Sequence, residues 1–189
     1  MSNFKAAMDK LLKLEGVYDN HPSDKGGETV FGIARKSFST WAGWVLVDKL
    51  KKSTANFPKN LENDDQLDSM VSRFYQMNFW DVLSCDKIED RELAEKVFFT
   101  GVNLGVGTMG KLLQKAVRAL SPTGNEGIEV DGIVGGKTLF AIKEIGIAVG
   151  YPVLLTKIKE LQIEYYKRIV ANNPSQKVFL KGWINRANA

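Results

Sequence analysis

Apolar residues recur at helical spacing along most of this chain, and that periodicity restricts it to a mainly helical fold. Phe4, Ala7, Met8, Leu11 and Leu12 follow the i, i+3, i+4, i+7, i+8 rule of a single buried face. Ser2 or Asn3 is the candidate N-cap and Gly16 lies just past the last apolar position, so a first helix is predicted to finish near Glu15. Asn63 or Asp64 caps a second, with Leu67, Met70, Val71, Phe74, Tyr75 and Phe79 on one wide face. Leu93, Val97 and Phe98 mark a third. Met109, Leu112, Leu113, Ala116, Val117 and Leu120 mark a fourth, ended by SPTGNEG. Short helical segments are predicted around Leu139 to Ile145, and Pro152 opens a long helix through Val170 that the Asn172-Asn173-Pro174 turn stops. Between Ser39 and Asn63 the period is lost. Trp41 and Trp44 are followed there by the basic, turn-rich LKKSTANFPKN, which reads as an insertion or loop flanking a cleft.

Composition narrows the function classes. At 189 residues and 44% hydrophobic content the chain suits one compact domain, or a core with a small lobe. Its 26 Lys and Arg against 22 Asp and Glu give +4 with no run beyond Lys51-Lys52, a mild preference for anionic surfaces. No basic stripe is interleaved with aromatics, so nucleic acid is not an expected partner. The longest apolar stretch, Ile145 to Leu155, is interrupted by Gly146, Gly150 and Pro152 and falls far short of the ~20 residues of a membrane span. Lys5, Asp9, Lys10 and Lys13 break up any signal-peptide core. The expectation is synthesis in the cytoplasm, with any outside work following export or lysis. One histidine and one cysteine cannot furnish a usual zinc site, so neither metal nor cofactor is expected. Cys85, in DVLSCDKIED, lacks the surroundings of a nucleophile and reads as a partly buried thiol; a Cys85–His21 peptidase would need it reactive.

Catalytic chemistry concentrates in LEGVYDNHPSDKGGETVFG, Leu14 to Gly32. The segment holds Glu15, Asp19, His21, Asp24, Glu28 and four glycines just after a helix, and a loop held by helices is a usual place for catalytic groups. A solvated acidic loop capped by Asp24 and Thr29 has the same composition. Spacing favours chemistry: Glu15, Asp24 and Thr29 stand close to the Glu, Asp, Thr order of phage-type lysozymes, whose last gap is one residue longer.

The wider pattern EGVYDNHPSDKGGETVFGIA resembles the N-terminal signature of the glycoside hydrolase family 108 muramidases, E-G-x-Y, then D-x-G-G-x-T, then G-I. Glu15, Gly16, Tyr18, Asp24, Gly26, Gly27, Glu28, Thr29, Gly32 and Ile33 occupy the matching positions. FFTGVNLGVGTMGKLLQKAV, with Asn103, Gly105 and Gln114, is similar to the family's V-N-x-G segment and its following helix. DGIVGGKT, Asp131 to Thr138, resembles the D-G-x-x-G-x-x-T of a C-terminal peptidoglycan-binding domain, and FLKGWINR the closing G-W-x-x-R. Val17 stands where a second glycine is common, and DKGG replaces D-P-G-G. The resemblance implies a lysozyme-like helical domain over residues 1–105 and a small helical peptidoglycan-binding lobe over 106–189. It also implies hydrolysis, without cofactor, of the bond between N-acetylmuramic acid and N-acetylglucosamine in peptidoglycan glycan strands.

That reaction needs a carboxylic acid to protonate the leaving oxygen and a second group to support or attack the developing cation. Glu15 fits the acid: a helix C-terminus and its neighbours Leu12 and Leu14 both disfavour a negative charge. Asp24 or Glu28 is the second group, and Thr29 holds the water or caps a turn. Tyr18 stacks on a sugar or fills the core. Asn103 bonds the substrate's acetamido group or ties loops together. Asp131, Gly132 and Thr138 bind peptidoglycan or simply shape a turn. A non-catalytic peptidoglycan-binding or secretion-activator-type regulator is the competing class, and Glu15 at the acid position argues against it.

Overall fold

In the computed structural model, residues 3–20, 27–53, 56–121 and 127–188 are described. The chain divides into two compact units, Met1–Asn78 and Phe79–Ala189.

In the first unit, α1 (Asn3–Leu14) buries Phe4, Ala7, Met8 and Leu11, four positions of the predicted stripe. Glu15 follows directly, its N–H still bonded to the Leu11 carbonyl at 3.1 Å. A small antiparallel sheet comes next, made of β1 (Tyr18–Asp19), β2 (Thr29–Val30) and β3 (Ile33–Ala34) in that order. Its register pairs Tyr18 with Val30, Asp19 with Thr29, and Val30 with Ile33. Strands of two residues are too short to display an alternating pattern, so the sequence carried no sign of them. Phe31 and Gly32 form the two-residue β2–β3 turn, both at positive φ (46° and 80°), as tight hairpins require.

Ser39 to Asn63 is not a loop. It contains α2 (Gly43–Ser53), whose only buried apolar side chains, Trp44 and Val47, are too few to print a helical period. The Trp41 ring lies on the bare face of Gly43 and meets Trp44 edge-on at 5.2 Å. Asp64 is the cap of α3 (Asp65–Tyr75), its carboxylate accepting from the Leu67 N–H at 2.8 Å, and α3 packs Leu67, Val71, Phe74 and Tyr75 into the core beside α2. Each such side chain contributes roughly 1.5–3 kcal/mol on burial.

The second unit is built on α4 (Arg91–Leu104) and α5 (Val106–Leu120), separated by Gly105 alone at φ 85°. The Leu139 to Ile145 segments form one helix, α6 (Gly136–Ala148). After Gly150 and with Pro152 in its first turn, α7 (Tyr151–Asn172) runs along α5. The terminal helix α8 (Leu180–Asn188) packs on α7, and the Trp183 ring stacks with Tyr166 at 5.3 Å and Phe179 at 5.9 Å. Lys96 Nζ donates to the Ala187 carbonyl at 2.6 Å and Lys159 Nζ to that of Asn188 at 2.8 Å, setting two cations at the negative end of α8. Among the described residues no single helix is long and apolar enough to cross a membrane.

Candidate active site

The end of α1 and the hairpin turn converge on Glu15. Gly32 presents its bare face to this side chain: a Cβ there would stand 3.0 Å from the Glu15 Cδ and Oε2 and 2.6 Å from the Tyr75 hydroxyl. Position 32 is therefore glycine for two reasons, its backbone angle and the space that the carboxyl and phenol occupy. Tyr75 donates to the Phe31 carbonyl at 2.8 Å, holding a non-glycine residue in the left-handed region that costs it roughly 1–2 kcal/mol. Burial, and then the Glu15 charge, push the Tyr75 phenol well above its ordinary range, so it stays a donor. Glu15 is half-buried, and among the described residues no cation pairs with it.

Glu28 has the opposite surroundings. Its Oε1 accepts from the Tyr18 hydroxyl at 2.9 Å and from Lys51 Nζ at 3.1 Å, while Oε2 lies 2.7 Å from Arg35 Nε. Arg35 in turn reaches both oxygens of Asp48, at 3.1 and 2.6 Å, and lies 4.3 Å over the Trp44 ring. The hydrogen bond to Arg35 holds the Asp48 carboxyl below the usual carboxylate range, and the bonds to Tyr18 and Glu28 raise the Lys51 ammonium. With both oxygens occupied, Glu28 anchors the sheet to α2. Tyr18 spends its hydroxyl in this network and meets Phe57 edge-on at 4.6 Å. Thr29 lies in β2 opposite Asp19, its hydroxyl donating to the Gly27 carbonyl at 3.3 Å. Asp24 and His21 fall outside the described residues. Sequence reasoning missed Tyr75, Arg35, Asp48 and Lys51. The last two sit on α2, and the weak period Trp44, Val47 was the one available sign of that helix.

In the second unit, Asn103 Oδ1 accepts from the Tyr166 hydroxyl at 2.9 Å, which itself accepts from Gln162 at 2.9 Å; α4 and α7 are thereby tied, and Asn103 remains exposed. The Asp131 turn is held by α5. The Gln114 amide donates to Asp131 Oδ1 at 2.7 Å and to the Ile133 carbonyl at 3.0 Å, and its own oxygen accepts from the Gly132 N–H at 2.8 Å. These bonds, Gln114 first and the Ile133 N–H second, hold the Asp131 carboxyl below its ordinary range. Gly132 sits at φ 90°, and a Cβ on it would stand 2.7 Å from the Gly107 carbonyl. Thr138 is buried in the first turn of α6. Cys85 is fully buried and its thiol is pushed far up by desolvation, the reverse of what a nucleophilic thiolate requires. Among the described residues no group of three or more His, Cys, Asp or Glu side chains is placed to hold a metal ion.

The fold matches that of a solved structure, Brucella abortus SagA, with a TM-score of 0.69 at 24% identity, covering 98% of this chain and 89% of that one. Among curated proteins none matches the chain. The fold is that of a mainly helical, lysozyme-like protein with a C-terminal helical region. A family model described as Glycosyl hydrolase 108 matches residues 8–105, and one described as Predicted Peptidoglycan domain matches residues 110–188. The chain belongs to the glycosyl hydrolase 108 family. A peptidoglycan hydrolase or binder is thus defined, with peptidoglycan as partner and the cell wall as its place of action.

Proposed function

We propose that the protein is an N-acetylmuramidase that cleaves the bond between N-acetylmuramic acid and N-acetylglucosamine, with Glu15 as general acid. The observation that carries this reading is the contrast between two carboxyls in one unit. Glu28 is bound by Arg35, Lys51 and Tyr18, whereas the Glu15 carboxyl lies against the Gly32 face and, among the described residues, has no cation partner. A general acid must turn a carboxyl oxygen toward the leaving group, and both oxygens of Glu28 are already held by protein groups. With Glu28 so engaged, Asp24 is the better second group, supporting the cation or orienting a water with Thr29. Asn103, exposed and with its amide N–H groups free of any protein acceptor among the described residues, is the candidate for the substrate's acetamido carbonyl. Residues 1–105 carry the chemistry in this scheme, and 106–189 hold the wall.

The test is the chemistry of the products. Purified protein should clear a peptidoglycan suspension and release new reducing ends without new free amines, and EDTA should leave the rate within about threefold. Amines without reducing ends would assign the cut to a peptide or amide bond. Binding without either product would make the protein a non-catalytic wall binder.

A further inference from the structure

A groove in the second unit includes none of the DGIVGGKT residues, Asp131 to Thr138. It runs between α5 and α7, encloses about 400 Å³ and is lined by Leu112, Lys115, Leu161, Glu164, Lys167 and Arg168. The two leucines form its apolar floor, and the four charged side chains are exposed. Glu164 precedes Lys167 and Arg168 by three and four residues, spacings at which helices usually pair opposite charges; Lys157 and Glu160 on the same helix do so at 2.6 Å. Around the groove no such pair forms: among the described residues Lys115, Lys167 and Arg168 have no ion-pair partner. Lys111 and Arg118 extend the cationic face of α5 one turn to either side. The charge is regional. Residues 106–189 carry 12 Lys and Arg against 6 Asp and Glu, whereas residues 1–105 carry 14 against 16.

We infer that this groove binds the stem peptides that hang from peptidoglycan glycan strands. Such a peptide is not a simple polyanion. It offers free carboxylates, the ammonium of a diamino acid and alanine methyls, and the groove supplies a counterpart for each. Lys115, Lys167 and Arg168 face the carboxylates, Glu164 the ammonium, and Leu112 and Leu161 the methyls. A phosphodiester polymer would meet the same cations but be repelled by Glu164 among them. The assignment rests on peptidoglycan being the substrate, and adds that the second unit recognises the peptide rather than the sugar.

The experiment is a titration of the full chain with the synthetic peptide L-Ala-γ-D-Glu-L-Lys-D-Ala, followed by calorimetry or by amide shifts. This probe has no glycosidic bond, so its binding does not depend on whether Glu15 cleaves walls, and wall clearing by the same preparation reports on hydrolysis separately. Saturable, salt-weakened binding is expected. K115A/K167A/R168A should weaken it at least tenfold with an unchanged melting temperature, since all three are exposed. With the alanine N-terminus acetylated, as it is acylated in the wall, Glu164→Gln should weaken the peptide with a free lysine ammonium a few-fold and leave the form acetylated at the lysine Nε unaffected. Absence of saturable binding, or equal binding by the triple variant, would overturn the proposal. So would an affinity that rises in Glu164→Gln while polyphosphate competes for the groove, which would mark it as a phosphate-polymer site instead.

Discussion

Two turn-forming motifs, one in each unit, end in opposite states. At the Asp131 turn the fold engages one carboxylate oxygen and the neighbouring backbone: Gln114 binds Asp131 Oδ1, the Gly132 N–H and the Ile133 carbonyl, and Thr138 is buried. The segment around Glu15 is split. Glu28, Tyr18 and Thr29 bond to protein groups, while Glu15 is left without a cation among the described residues. A motif residue whose capacity is spent inside the protein serves shape. One left unspent, on a rigid frame, is available to a ligand.

The strongest attempt to break this contrast is Glu15→Gln. Wall clearing should fall at least a hundredfold, about 2.7 kcal/mol in the barrier, with a melting temperature within a few degrees of wild type; a variant that still clears walls would return Glu15 to a structural role. Glu28→Gln should do the reverse. Its side chain is 13% exposed but its partners Arg35 and Lys51 are 31% and 41% exposed, so solvent screening limits the loss to roughly 1–2 kcal/mol of stability. Clearing at 25 °C should stay within about threefold, and a hundredfold loss with an intact fold would make Glu28 catalytic. Gln114→Ala strips the Gly132 N–H and Asp131 of a partner and should cost about 1–3 kcal/mol in denaturant unfolding, leaving sedimentation of the folded protein with insoluble wall unchanged. If wall binding disappears while the protein stays folded, the Asp131 turn is a binding site after all.

The smallest effect is a pH dependence at Lys96, whose ammonium burial pushes down to about 8, with a minor push from Lys159. Below that pH the group is charged in both states. Between about 8 and the unfolded ~10.4 the unfolded chain keeps the proton and the folded chain does not, so this group's contribution to stability rises with pH. Chemical denaturation of wild type against Lys96→Met should show wild type gaining on the order of 1 kcal/mol from pH 8 to 10. A flat difference would mean that the site is better hydrated than its burial suggests.

Legibility followed the density of buried side chains. α1, α3, α5 and α7 bury a regular stripe and could be read from spacing, while the cap of α3 was narrowed to Asn63 or Asp64 and is Asp64. α2 could not, because Trp44 and Val47 are its only buried apolar side chains, and the sheet could not, because two residues show no period. In the candidate site, Glu15 was legible from its neighbours in sequence. The division of labour between Glu15 and Glu28 was not, because it depends on Arg35, Lys51 and Tyr75, which come from three other places in the chain.

The tryptophans fall two to a unit, Trp41 and Trp44 in the first, Trp80 and Trp183 in the second. Trp183 stacks with Tyr166 and Phe179 at the end of the chain, while Trp44 lies under Arg35. Intrinsic fluorescence therefore contains two separable optical signals. Replacing Trp41 and Trp44 by phenylalanine leaves an emission that reports only on the second unit, so a titration with wall fragments can be followed there without any attached dye.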